Sequence, residues 1–214
     1  AVGLTPPTVV AAPAGRSAGS SYRFNLSAQE GFLRHTYAAA VAPPATVVAR
    51  FAIYFASLPT VNTTIFRSDD SFGNFGTISY VQSTGGLAAF VSGGSFGTSF
   101  VVSTGVWYLI DVKVVHDTTF TVDWKVQGVA QEQKSASKSS ASATSFDIGQ
   151  VSTGTTADFY IDDICVSGTS GDYPIGDGTV VGLYPNADGS HNYSAATDFD
   201  KDGDTHTALN ANPA

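Results

Sequence analysis

Two acids stand side by side in FYIDDICVSG, residues 159–168, where Asp162 and Asp163 interrupt an otherwise apolar run. A catalytic couple needs both carboxyl groups on one side, but an extended strand points neighbours to opposite faces. Strict alternation groups Asp162 with Tyr160, Ile164 and Val166, and Asp163 with Phe159, Ile161 and Cys165. Both groups are apolar, so at least one carboxylate has to be solvated at an edge, turned out by a bulge or bonded to loop amides. The pair therefore reads as framework. Cys165, the single cysteine, can form no internal disulfide and reads as a small core residue.

Metal chemistry is suggested by DFDKDGDTHT, where Asp198, Asp200, Asp202 and Asp204 alternate and Gly203 allows a sharp bend. Hard oxygen ligands at this spacing suit calcium, as in the first half of an EF-hand loop. Position twelve of such a loop falls on Leu209 rather than Glu, and an acidic solvated turn is the competing reading. Calcium is the one cofactor suggested, and none is required. Glycoside hydrolysis usually needs two carboxyl groups about 5–5.5 Å or about 6.5–9.5 Å apart. The chain has two glutamates, Glu30 and Glu132, far apart in sequence. Its histidines, His35, His116, His191 and His206, are scattered, with no His-Glu-x-x-His helix and no Gly-x-Ser-x-Gly elbow. The glycine-rich SGGSFG lacks the Gly-Lys-Ser/Thr ending that cradles phosphate and reads as a turn. No catalytic residue is assigned. Trp107, on the side opposite Tyr108, Ile110 and Val112, is the candidate aromatic platform for a sugar, against a bland role in a packing layer.

The elements that would position these residues are strands. Charged residues are 13% and hydrophobic ones 43% of the 214, and Gly, Ser and Thr punctuate short apolar stretches. Val47, Ala49, Phe51, Ile53 and Phe55 alternate with Arg50 and Tyr54. Tyr108, Ile110, Val112 and Val114 do the same before an HDTT turn, and Phe120, Val122, Trp124 and Val126 after it, which predicts a hairpin. Shorter candidates include SYRFNLS, TTIFRS, FGTISYVQ, GLAAFVS, TSFDIGQ and GTVVGLYP. About ten such runs predict an all-β, two-sheet antiparallel sandwich. SAQEGFLRHTYAAAV is the one candidate for a helical turn. Residues 1–19 read as an arm or linker, 20–185 as the sandwich and 186–214 as an acidic extension. A net charge of −8 opposes a phosphate backbone, which excludes nucleic acid as a partner. No apolar run approaches the roughly 18 residues that cross a bilayer, so no membrane partner is expected.

The succession VVARFAIYFASLP, GTISYVQSTGGLAAFVSGG, TGVWYLIDVKVVHDTTFTVDWKVQG and ADFYIDDICVSG resembles the concanavalin A-like lectin and glucanase superfamily, of laminin-G-like jelly-roll form. One departure is Gln127-Gly128, where that family often has an Asp-Gly turn. The tail DGTVVGLYPNADGSHNYS is similar, more narrowly, to virion proteins of tailed bacteriophages and prophages. This resemblance implies a non-enzymatic component of a phage particle, as a capsid-surface, decoration, fibre or tail protein. Its partners would be other virion proteins and copies of itself, and its location the particle surface or otherwise extracellular. A carbohydrate-binding adhesin is the alternative, followed by a glycoside hydrolase, whose Glu-x-Asp-x-(x)-Glu strand has no counterpart here.

Overall fold

The computed structural model describes residues 6–13, 20–27, 30–37, 43–139, 141–151 and 154–175, all within the compact unit Ala1–Asp177. Fourteen strands form two antiparallel sheets: β1 (Thr8–Ala11), β2 (Ser20–Ser27), β3 (Gly31–Thr36), β4 (Thr46–Ser57), β5 (Thr63–Asp70), β6 (Phe75–Val81), β7 (Gly86–Val91), β8 (Phe100–Val101), β9 (Trp107–Val115), β10 (Thr119–Val126), β11 (Val129–Ala130), β12 (Lys134–Ser137), β13 (Ala143–Gln150) and β14 (Thr156–Ser167). Sheet A runs β1-β2-β14-β4-β9-β10-β11, with β12 also pairing with β10; sheet B runs β3-β13-β5-β6-β7-β8. This is the expected sandwich.

The inner face of each strand is the apolar set legible from alternation. Val47, Ala49, Phe51, Ile53 and Phe55 of β4, Ile110, Val112 and Val114 of β9, and Phe120, Val122 and Trp124 of β10 have no solvent exposure. Opposite them in sheet B lie Ile65, Phe66, Ile78, Leu87, Ala89 and Ile148. Rings pack within and between the layers: Phe24 stacks on Phe159 at 5.0 Å inside sheet A, and Phe51 of sheet A on Phe66 of sheet B at 6.3 Å. At about 1.5–3 kcal/mol for each large side chain fully buried, this cluster dominates the stabilising terms. Gly76 of β6 sits at a close approach of the two sheets, because a Cβ there would lie 2.5 Å from Val122 Cγ2.

Three sequence expectations are corrected. SAQEGFLRHTYAAAV holds a strand rather than a helical turn: Gly31–Thr36 pairs with β13 at the edge of sheet B. Among the described residues the only helical element is a 3-10 turn at Ser170–Asp172. The second correction concerns the adjacent acids. Asp162 pairs with Ala52 and Cys165 with Arg50, so a bulge inserts an extra residue at Asp163, whose φ is 50°. Alternation already points Asp162 outward; the bulge turns Asp163 out as well and reverses the phase, so that Ile164 and Val166, not Cys165, rejoin the interior. The third is Cys165 itself, which is half-buried on the outward face.

Residues Thr8–Ala11 of the N-terminal segment pair with β2 as an edge strand. Gln127 and Gly128, with φ of 51° and 77°, form the two-residue turn between β10 and β11, so the hairpin closes without an Asp-Gly pair. The GTVVGLYP stretch and Asp198, Asp200, Asp202 and Asp204 lie outside the described residues.

Candidate functional site

Trp107 is the natural starting point, since the sequence singles it out. It lies on the outward face of sheet A, in register with Tyr54, which is in turn in register with Tyr160. The Trp107 and Tyr54 rings are 5.3 Å apart and the two tyrosines 5.8 Å. Arg23 stands 5.6 Å over Tyr160 and donates from Nε and Nη2 to Asp158 at 3.0 and 2.7 Å. The Trp107 indole donates to the Pro13 carbonyl at 3.4 Å. The ring is thus half-buried under the chain's own N-terminal segment.

The other half of that face is also occupied. After β14 the chain turns at Ser170–Asp172 and lays Tyr173 between Lys113 and Lys125, at 4.8 and 5.4 Å from the ring centre. The Tyr173 hydroxyl donates to Asp123 at 3.1 Å, and the Ile175 amide donates to Asp111 at 3.2 Å. Burial, with Asp123 beside it, pushes the Tyr173 phenol well above its ordinary range. Outward residues below this strap, such as Arg50 and Asp111, are buried as a result.

On sheet B the outward side chains instead bond to one another. One cross-strand row reads Arg34, Asp147, Arg67, Thr77 and Phe90, on β3, β13, β5, β6 and β7. Arg34 donates from Nε and Nη2 to the two oxygens of Asp147, both at 2.7 Å, while stacking 4.7 Å from Phe32. Those bonds hold the Arg34 guanidinium more firmly protonated than usual. Arg67 does the same with Asp69, its Nε at 2.8 Å from Oδ1, while standing 4.2 Å from Phe75. Each guanidinium is therefore fixed by one carboxylate and one aromatic face. Asp147 is fully buried, whereas half of the Arg34 side chain is exposed, at 51%.

Beside this row runs a line of hydroxyls. Thr77 Oγ1 and Ser79 Oγ are 3.0 Å apart, and Ser79 and Thr64 hydroxyls 3.3 Å. On the other side stand Phe75, Phe90 and Phe96, with ring centres 6.0 and 5.1 Å apart in turn. Small residues at the centre lie below long or flat ones at the sides, so this strip is a shallow trough floored by buried hydroxyls, with Thr77 and Ser79 only 2% and 3% exposed. Phe96 rides on the β7–β8 loop that contains SGGSFG, and Glu132 anchors this loop by accepting from both the amide and hydroxyl of Thr98 at 2.6 Å. These bonds hold the Glu132 carboxyl below the usual carboxylate range. The glutamate weighed for hydrolysis is thus a loop anchor, and Glu30 acts electrostatically on Arg34. Among the described residues no cluster of three or more His, Cys, Asp or Glu could hold a metal ion.

Sequence reasoning missed this trough. The i, i+2 spacing of Arg67 with Asp69 and of Phe75, Thr77 and Ser79 was visible in the chain, but Arg34 was hidden by the helical reading of its segment. Its partner Asp147 lies 113 positions away.

No protein-family model matches the chain, and no curated protein matches it. Solved structures do. The cellulose-induced protein Cip1 is similar with a TM-score of 0.55 at 13% identity, over 77% of this chain and 87% of that one. An endo-β-1,4-glucuronan lyase from the fungus Trichoderma reesei is similar with a TM-score of 0.50 at 12% identity, over 76% of this chain and 87% of the lyase. The likeness is one of fold: the chain is a two-sheet antiparallel sandwich of jelly-roll form.

Proposed function

We propose that the chain is a non-enzymatic sandwich that binds glycans in the trough of sheet B. The observation that carries this reading is the row of two immobilised guanidiniums beside paired hydroxyls and three phenylalanine rings. A sugar ring offers an apolar C–H face and a rim of hydroxyls; flat rings accept the first and oriented N–H and O–H groups the second. Bidentate pairing leaves other guanidinium N–H groups facing solvent, already ordered before any ligand arrives. The outward face of sheet A suits this role less well, because Pro13 and Tyr173 already contact it. The fold shared with a glucuronan lyase is compatible with a carbohydrate ligand. The non-enzymatic part is supported by the carboxylates of the trough, Asp69 and Asp147, each of which is engaged by an arginine rather than placed to transfer a proton.

A glycan array with the parent chain, Phe90→Ala and Trp107→Ala tests the reading. The expected outcome is selective binding that Phe90→Ala abolishes and Trp107→Ala preserves. An array empty for the folded parent refutes it, and loss only in Trp107→Ala moves the site to sheet A.

A second reading, that the domain is displayed on a phage particle among other virion subunits and copies of itself, is favoured by the resemblance of residues 177–194 to tailed-phage proteins. Mass spectrometry of purified particles tests it, since a protein absent from intact particles has no such role. Calcium at Asp198, Asp200, Asp202 and Asp204 goes with the glycan-binding reading, and titration calorimetry without heat in the parent chain removes it.

A further inference from the structure

We propose that the trough of sheet B selects neutral, hydroxyl-rich glycans and discriminates against uronates and sulfated sugars, because each guanidinium on it already carries its own carboxylate. The inference rests on the glycan reading above and sharpens it to a ligand class.

An arginine that recruits an anionic sugar does so with an uncompensated positive charge whose fork accepts the incoming carboxylate. The side-on fork of each arginine is already taken, since Arg34 commits Nε and Nη2 to Asp147 and Arg67 commits Nε and Nη2 to Asp69. The N–H groups that remain belong to a guanidinium whose charge is compensated, so they donate hydrogen bonds without drawing in an anion. A uronate approaching either one meets an aspartate carboxylate at the same guanidinium, so attraction and repulsion nearly cancel. Beyond its own partner, Arg34 also feels Asp69 and Glu30. Counting these groups, two arginines face Asp69, Asp147 and Glu30, which leaves the row with one excess negative charge. The chain as a whole is at −8, so long-range steering opposes an anionic polymer as well.

Neutral hydroxyls face no such opposition. The guanidinium N–H groups not used by the aspartates donate to hydroxyl oxygens. Phe75, Phe90 and Phe96 offer flat faces to the sugar ring, and the partly exposed Asp69 carboxylate accepts from sugar O–H groups, while the buried Thr77 and Ser79 bond to each other beneath. Burial of Asp147 keeps its Arg34 pair intact while a ligand is present, so charge compensation is a built-in property of the site.

The test uses matched hexasaccharides that differ only at C6: cellohexaose against a β-1,4-glucuronan hexasaccharide, and mannohexaose against its mannuronan counterpart. Binding to the parent chain is measured by calorimetry at low and high salt. The expected result is that the neutral member of a pair binds at least about tenfold tighter and is insensitive to salt. Asp69→Asn uncovers Arg67 and shifts the neutral-to-acidic ratio about tenfold towards the acid. Glu30→Gln, which leaves both bidentate pairs in place, shifts it in the same direction by less and stands in if Asp69→Asn does not fold. Equal or tighter binding of the acidic member by the parent, or a ratio unmoved in the folded variants, overturns the selectivity while leaving glycan binding intact. Failure of all four sugars together with an empty array overturns both.

Discussion

Acid should weaken this fold through one histidine. His116 follows β9, and its backbone amide donates to Ala45 at 2.8 Å. Its ring is buried, 2% exposed, with Nε2 at 2.8 Å from the Ser68 hydroxyl of the opposite sheet and its face 4.7 Å from Phe120. Nδ1 has no hydrogen-bond partner among the described residues. Burial drives the His116 pKa from 6.5 down to about 4, with Asp70 opposing weakly. Between these values the unfolded chain binds a proton that the folded chain refuses, so stability falls as pH drops through this window and is lost no further below it. A fall from 6.5 to about 4 corresponds to about 3 kcal/mol. That is a large part of the 5–15 kcal/mol typical of a domain.

Urea unfolding at pH 7.5, 5.5 and 4, followed by the fluorescence of fully buried Trp124, measures it. Titrating carboxylates add their own pH dependence, so the comparison is with His116→Gln, which keeps a polar group near Ser68 but does not titrate. The parent should be the more stable at pH 7.5, and its advantage should shrink or reverse by about 3 kcal/mol at pH 4. Parallel loss of stability in the two proteins between pH 7.5 and 4 would refute the assignment.

Two further outcomes follow from packing and from the strap. Gly76→Ala forces a methyl group to within 2.5 Å of Val122, and the sheets must separate or Val122 must leave its rotamer. A loss of about 1–3 kcal/mol in chemical denaturation is expected, and an unchanged midpoint would contradict the close approach. Tyr173→Phe removes the hydroxyl bond to Asp123 but keeps the ring between Lys113 and Lys125, for a cost of about 1 kcal/mol. Tyr173→Ala releases the ring as well, so the Ile175 amide, which donates to Asp111, should exchange with solvent much faster. Unchanged exchange there would show that Tyr173 does not hold the strap.

Alternation along single strands was legible because it is a local property. Side chains at i and i+2 share a face whatever the rest of the chain does, so the inner sets of β4, β9 and β10 and the sandwich itself could be read directly. The strand at Gly31–Thr36 was not, since GFLRHT alternates weakly and the Ala-rich stretch after it suggests helix. A propensity signal of this kind yields to pairing with β13. A bulge was one of the outlets open to the adjacent acids, but its position at Asp163 was not legible, for a related reason. A single inserted residue reverses the phase, and only the need to keep Phe159, Ile161, Ile164 and Val166 all inside reveals where it falls.

What the sequence determined by itself was therefore the fold class and the core as far as alternation runs unbroken, which leaves out Cys165, Ile164 and Val166 beyond the bulge. The candidate site was decided by tertiary structure alone. Arg34 meets Asp147 across 113 residues, Arg23 meets Asp158 across 135, and Tyr173 meets Asp123 across 50. Such pairs depend on strand order and register, which no one-dimensional period carries. The same geometry that seats Pro13 and Tyr173 on one sheet leaves Arg34, Arg67 and Phe96 of the other partly exposed.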